Sequence, residues 1–273
     1  MTGPLVSVPE LRALLAAPDA VTLLDVRYRL GSTTGAEEHA GAHLPGAAYV
    51  DLDTALAAPA GAGGRHPLPD PAVFAEAMRR AGVRLDRPVV VYDDWSAHAA
   101  GRAWWLLRFH GHPDVRVLDG GLAAWREEGG ELAAGAVHPE PGDFSCSGAA
   151  GMLVVDAGGV LDVDVLIDAR AAERYRGEHE PVDPVAGHVP GAVNVPTSRN
   201  LDDGGRFRSA EELRATYADV GAVPGADVAA YCGSGVTATH DLLALEVAGV
   251  RAALYAGSWS DWITDPTRPV ATG

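Results

Sequence analysis

The sequence predicts an α/β protein of two tandem domains, each an open, mostly parallel sheet flanked by helices. Three observations carry that prediction. The first is repetition. Leu23-Leu-Asp-Val-Arg27 returns as Leu166-Ile-Asp-Ala-Arg170, and Gly41-Ala-His-Leu-Pro-Gly-Ala47 returns as Gly187-His-Val-Pro-Gly-Ala192. Val89-Val-Val-Tyr-Asp93 returns as Val228-Ala-Ala-Tyr-Cys232, and Leu118-Asp-Gly-Gly121 returns as Leu254-Tyr-Ala-Gly257. Four matches in one order, each offset by roughly 140 positions, mark a duplicated domain; solenoid periods are far shorter. The second is alternation of short apolar runs with helix patterns, the habit of parallel strands buried on both faces. The third is composition: 47% hydrophobic and 21% charged residues suit a folded globular chain.

The elements follow in order. Ser7 with Glu10 forms a capping box that opens a helix through Leu11-Arg-Ala-Leu-Leu15, and Ser209 with Glu212 does the same in the second half. Asp70-Pro71 reads as N-cap and first residue of a helix carrying Phe74 and Met78. Strands are expected at Val21–Leu24, Val89–Tyr92, Val115–Leu118, Val163–Ile167, Val228–Tyr231 and Ala252–Tyr255. A helix is expected over Ala238–Leu245. The Gly/Pro-rich stretch containing His138-Pro-Glu-Pro-Gly142 gives the boundary: an N-terminal domain over 1–137, a linker over 138–151 and a C-terminal domain over 152–273.

Charge excludes whole classes of function. The chain of 273 residues has 37 Asp+Glu against 21 Lys+Arg, a formal charge of −16, and all 21 bases are arginine. With no lysine there is no Schiff-base residue, no pyridoxal-phosphate anchor and no P-loop lysine. Phosphate backbones and anionic membranes want a basic face, so neither nucleic acid nor membrane is an expected partner. Two cysteines make no disulfide framework, the start carries no signal-peptide pattern, and no run is long enough to span a bilayer. A reducing, cytoplasmic setting is the expectation. Ten histidines and two distant cysteines show no ligand spacing for a metal.

In open parallel sheets, ligands sit at the carboxyl ends of strands. Asp93 and Cys232 stand at equivalent strand ends. Cys232-Gly-Ser-Gly-Val-Thr237 joins a strand to a helix N-terminus, where unpaired backbone N–H groups and the helix dipole favour a thiolate. Gly233 and Gly235 let the backbone curl into an anion-binding nest, with Val236 and Thr237 completing the loop.

These motifs, with Arg174-Tyr-Arg-Gly177 and Gly257-Ser-Trp-Ser-Asp-Trp262, make the chain resemble the tandem-domain sulfurtransferases of the rhodanese family over essentially its whole length. The resemblance implies an inactive N-terminal domain and an active C-terminal one, in keeping with Asp93 standing where Cys232 stands. It implies that the Cys232 thiolate takes sulfur from a small-molecule donor as a persulfide. A thiol acceptor of thioredoxin-like kind, or cyanide, then removes it, with no metal or organic cofactor. Family members with basic residues after the cysteine use thiosulfate; those with Cys-Gly-Ser-Gly-Val-Thr use 3-mercaptopyruvate. Here no lysine or arginine follows Cys232 until Arg251, which points to 3-mercaptopyruvate, with thiosulfate as the alternative.

By the same resemblance, Ser234, His66 and Asp53 form a relay, the last two lying in the N-terminal half, and Arg174 grips the donor's charged end. On its residues alone, His66 reads equally as a loop histidine before proline, and Asp51 lies two residues from Asp53. The pattern is broken at position 183, where a second arginine is common and Asp183 stands, so that clamp is missing or supplied from elsewhere. It is broken again at Ala256, where the family often has aspartate.

Two other functions compete. A cysteine phosphatase of this fold needs an arginine six positions after the nucleophile, where this chain has Ala238. A non-catalytic binding module would have no reason to keep Cys232 in its glycine cradle.

Overall fold

The computed structural model describes residues 3–17, 20–147 and 151–273. Two compact units emerge: Met1–Ala58 with Pro69–Gly151, and Met152–Gly273 with Pro59–Leu68. Residues 148–150, at the end of the expected linker, lie outside the described residues, as do 1–2 and 18–19.

Each unit is built on a five-stranded sheet. In the first the strands are β1 (Leu5–Val6), β2 (Thr22–Asp25), β3 (Ala48–Tyr49), β4 (Val89–Tyr92) and β5 (Val115–Leu118). In the second they are β6 (Leu153–Val155), β7 (Val165–Asp168), β8 (Val193–Asn194), β9 (Val228–Tyr231) and β10 (Ala253–Tyr255). The orders β1-β5-β4-β2-β3 and β6-β10-β9-β7-β8 are the same order twice. Every strand pair is parallel, and Leu24↔Val91 in one sheet answers Ile167↔Ala230 in the other. Four strands have no counterpart among the predicted ones: β1, β3, β6 and β8, each of two or three residues. Runs that short have no readable period; pairing with a neighbour makes them extended.

Both capping boxes form, Ser7 with Glu10 before the helix Val8–Leu15 and Ser209 with Glu212 before Ala210–Ala218. Asp70 caps Pro71–Arg80 by accepting from the N–H groups of Ala72 and Val73. The helices after the central strands, His98–Phe109 and Ala238–Ala248, are buried on almost every side, including Trp104, Trp105 and Leu243. Among the described residues, no helix is long and apolar enough to cross a membrane.

The repeated motifs do repeated structural work. Arg27 pairs with Asp25 at 3.0 Å, and Arg170 pairs with Asp168 at 2.6 Å; all four side chains are buried. Tyr92 and Tyr231 end the central strands, and their hydroxyls accept from the N–H groups of Leu44 and Val189 in the two Gly-Ala/His-Pro-Gly turns. His43 and His188 belong to those same turns. Their Nδ1 atoms bond the carbonyls of His39 and Tyr175, and their backbones bridge to Ala133 and Ala271. Symmetry of this kind marks scaffold.

Two segments take places that local pattern does not announce. Residues 138–147 fold back on the first unit: Gly142 N–H donates to the Arg79 carbonyl, and Phe144 is buried edge-on against Phe74. Pro59–Leu68 belongs with the second unit. Gly61 and Gly64 bond each other's backbones into a tight turn. Gly64 (φ +95°) lies so close to the helix Ser258–Trp262 that a Cβ would stand 2.7 Å from Ser260 Oγ. The next residue, Arg65, donates its backbone N–H to that same Oγ at 3.0 Å.

In the first unit, Asp93 fills the loop after β4. Its Oδ1 accepts from the N–H groups of Trp95 and Ala97, and its Oδ2 from those of Ala99 and Ala100, all at 2.8–2.9 Å. Asp93→Asn replaces one acceptor oxygen with an NH2 that faces two donors. The urea midpoint should fall by the equivalent of ~3 kcal/mol; an unchanged midpoint would mean that the carboxylate does not organise the loop.

Candidate active site

The site grows from the end of β9. A strand delivers Cys232 to the top of the sheet, and the loop reverses into the helix Ala238–Ala248. Cys232 is buried, and its Sγ accepts the Gly235 N–H at 3.1 Å. That turn requires glycine: Gly235 has φ +76°, and a Cβ there would stand 2.3 Å from the Ala256 carbonyl oxygen. Position 256, where the sequence departs from the family pattern, thus meets the loop through its backbone.

The helix Ser258–Trp262, which follows β10, fixes the other side of the loop. Ser258 Oγ accepts from the Cys232 N–H at 3.1 Å and donates to the Tyr255 carbonyl at 2.9 Å. Trp259 and Ser260 give their N–H groups to the carbonyls of Cys232 and Gly233. Ser258 does this from φ +55°, a left-handed conformation that a non-glycine residue adopts only at a cost of order 1 kcal/mol. Below the loop, Arg170 is held by Asp168 and Glu180 and lies 4.8 Å from the Trp259 ring centroid.

Three side chains from elsewhere in the second unit converge on the loop. His66 Nδ1 lies 2.8 Å from Ser234 Oγ, and both residues are buried. Arg174, from the short helix Ala172–Tyr175, donates Nε and Nη2 to Glu180 and Nη2 to Asp183 at 3.2 Å. Burial opposes charge on Glu180, but the Arg174 fork and the N–H groups of Asp183 and Val182 outweigh it and hold its carboxyl below the usual glutamate range. Arg65 donates Nη1 to the other oxygen of Asp183. Both guanidinium tips flank Gly233, where a Cβ would stand 2.8 Å from Arg65 Nη2 and 3.5 Å from Arg174 Nη2.

Cys232, Gly233, Ser234, Gly235, His66 and Arg174 therefore share one unit. Val236 is buried in the same loop, its carbonyl accepting from Thr239, and Thr237 stands at the N-terminal end of the following helix. Asp53 stands in the first unit, in the helix Leu52–Ala55 that Asp51 caps. Burial, then the neighbouring Asp51 charge, raise its carboxyl above the usual range, against a hydrogen bond from Tyr28. Cys146 is in the first unit too, its thiol donating to the Pro71 carbonyl.

Sequence reasoning missed Arg65, Glu180 and Ser258. Arg65 carried a signal: it adjoins His66 and is the only arginine between Arg29 and Arg79 in a chain of charge −16. Among the described residues, no group of three or more His, Cys, Asp or Glu side chains is placed to hold a metal ion.

Chemically, a buried thiol on a backbone N–H, set between a strand and a helix N-terminus, suits a soft anionic nucleophile of the kind sulfurtransferases use. The chain belongs to the rhodanese-like domain family, whose signature matches residues 7–128 and again 155–265. It is 47% identical over 281 residues to a Pseudomonas aeruginosa protein assigned as a 3-mercaptopyruvate sulfurtransferase, covering 98% of each chain. It is 46% identical over 276 residues to SseB of Mycobacterium tuberculosis, assigned as a thiosulfate sulfurtransferase, covering 98% of this chain and 97% of that one. Its fold matches the crystal structure of SseA from Escherichia coli, titled a 3-mercaptopyruvate sulfotransferase, with TM-score 0.81 and 34% identity, over 95% of this chain and all of that one.

Proposed function

We propose that the protein moves sulfur from 3-mercaptopyruvate, through a persulfide on Cys232, to a thiol or to cyanide. The observation that carries this reading is the buried Cys232 Sγ on the Gly235 N–H, with the Ser234–His66 hydrogen bond in the same loop. The thiolate attacks the donor sulfur, the carbon–sulfur bond breaks, and its electron pair leaves as pyruvate enolate. The donor thiol's proton ends on the enolate carbon, and Ser234 and His66 move it. Cys232 keeps the sulfur as an anionic persulfide, which backbone N–H groups and the helix N-terminus can hold. An acceptor thiolate then takes the outer sulfur, and the Cys232 thiolate leaves. Gly233, Gly235, Val236 and Thr237 form the cradle, Arg174 and Arg65 bind the donor carboxylate, and Asp53 is carried as the relay's third member on the family resemblance. A thioredoxin-like protein is the acceptor class we favour, in a reducing cytoplasmic setting.

The alternative donor is thiosulfate, by the same persulfide with sulfite leaving; the name given to the mycobacterial relative favours it. Steady-state assays on both donors with one acceptor separate the two. A higher kcat/KM for 3-mercaptopyruvate is expected, and a higher value for thiosulfate would reverse the assignment. His66→Ala refines the test. Thiosulfate releases sulfite without carbon protonation, so the loss should fall mainly on mercaptopyruvate, by ~10²-fold in kcat. An equal, small effect on both donors would make His66 a structural residue.

A further inference from the structure

Asp183 occupies the position where the family pattern suggests a second positive charge, and its surroundings give it a use. Its side chain is 2% exposed, and one oxygen bonds Arg65 while the other bonds Arg174. The carboxylate thus spans the two guanidinium groups that flank Gly233, the residue next to the nucleophile. Arg174 spends its remaining fork on Glu180, and Arg170 is matched by Asp168. With the buried Arg170–Asp168 pair below the loop counted, three arginines (Arg65, Arg170, Arg174) meet three carboxylates (Asp168, Glu180, Asp183), and the cluster carries no net formal charge. One donor remains unsatisfied: Arg65 Nε is buried with no hydrogen-bond partner. Buried N–H groups are seldom left unpaired. The Arg65 group that reaches the cysteine loop is Nη2, beside Gly233.

We propose that Asp183 is a specificity-determining residue: an internal carboxylate that holds Arg65 and Arg174 together, cancels part of their charge, and so tunes the anchor to a monoanionic α-keto acid over a dianionic donor. The proposal rests on the assignment of the two arginines to donor binding. Its physical basis is the scaling of electrostatic energy with ligand charge. Bringing a dianion to a neutral cluster that contains a fixed carboxylate meets twice the repulsion that a monoanion meets. The monoanion needs only the guanidinium edges that Arg65 and Arg174 bring to Gly233. A dianion needs a net positive anchor, which Asp183 removes.

The test is kcat/KM for both donors, with cyanide as acceptor, in the wild type and Asp183→Asn at low ionic strength. The amide keeps shape and one acceptor oxygen but drops the charge. If the lost repulsion is worth about threefold to a monoanion, it is worth about tenfold to a dianion, because the energy doubles. Mercaptopyruvate should then gain about threefold and thiosulfate about tenfold, and both gains should shrink with added inert salt. Equal losses for the two donors would make Asp183 a mere support for the arginines and overturn the proposal, as would unchanged kinetics. Should the variant not fold, the wild type still decides, with pyruvate and sulfate as competitive inhibitors against mercaptopyruvate. Pyruvate should bind more tightly, and equal or tighter binding of sulfate would refute the charge filter. Wild-type donor preference tests the mercaptopyruvate assignment. The change in donor ratio on substitution tests Asp183 separately.

Discussion

Cys232→Ser should leave a folded protein that turns over neither donor, with kcat down by ~10⁴-fold or more. The reason is chemical before it is structural. A serine hydroxyl is almost wholly protonated at neutral pH and is a hard nucleophile, whereas attack on sulfur wants a soft, ionised one. The fold should tolerate the change, because a serine Oγ can also accept from Gly235 and the backbone contacts of Cys232 to Ser258 and Trp259 are untouched. Circular dichroism and the melting midpoint check that. Mass spectrometry of wild type treated with donor alone should show one added sulfur atom on the peptide containing Cys232, and none in the variant. Surviving turnover, or sulfur found on Cys146, would refute Cys232 as the carrier.

Arg174→Gln should cost ~10- to 10²-fold in kcat/KM for either donor, mainly through KM, because the guanidinium charge beside Gly233 is lost. It should also cost stability. Glu180 is 3% exposed and takes three of its close contacts from Arg174, leaving Arg170 at 3.3 Å as its other cation. Removing one partner from a buried pair is expensive; with Arg170 still present, ~2 kcal/mol is the expected loss in a urea titration. Arg174→Lys separates the two roles. It restores the charge as a point rather than a planar fork, so donor affinity should return more fully than the stability that the fork's grip on Glu180 supplies. A variant that loses stability while keeping the wild-type KM would show that Arg174 serves Glu180 alone.

How much of this was readable beforehand differs from residue to residue. The cysteine loop was readable because its chemistry is local: a thiol, two glycines and a helix start lie within seven residues. The duplication was readable because core motifs repeat in order, and the sheets repeat their strand order with them. Arg65 was not readable. A ten-residue segment inside the first half belongs with the second unit, and unit membership is decided by packing against Ser260 rather than by composition. Asp183 was visible as a reversed sign, yet its meaning needed the knowledge that two guanidinium groups meet on it. The shortest strands escaped because they are extended only by virtue of a neighbour.

Asp93 is an isostere of a loaded cysteine. Counting outward from Cα, its Oδ atoms occupy the place that the outer sulfur of a cysteine persulfide would occupy: two bonds past Cβ, negative, and aimed into a strand-to-helix turn. The first unit therefore holds a carboxylate in the place of a loaded cysteine's outer sulfur, gripped by four N–H groups. A loop of this architecture is most settled when it is charged. In the second unit the Gly235 N–H lies on the Cys232 sulfur, and a sulfur atom added there would meet a turn of the kind that its sister loop carries already filled.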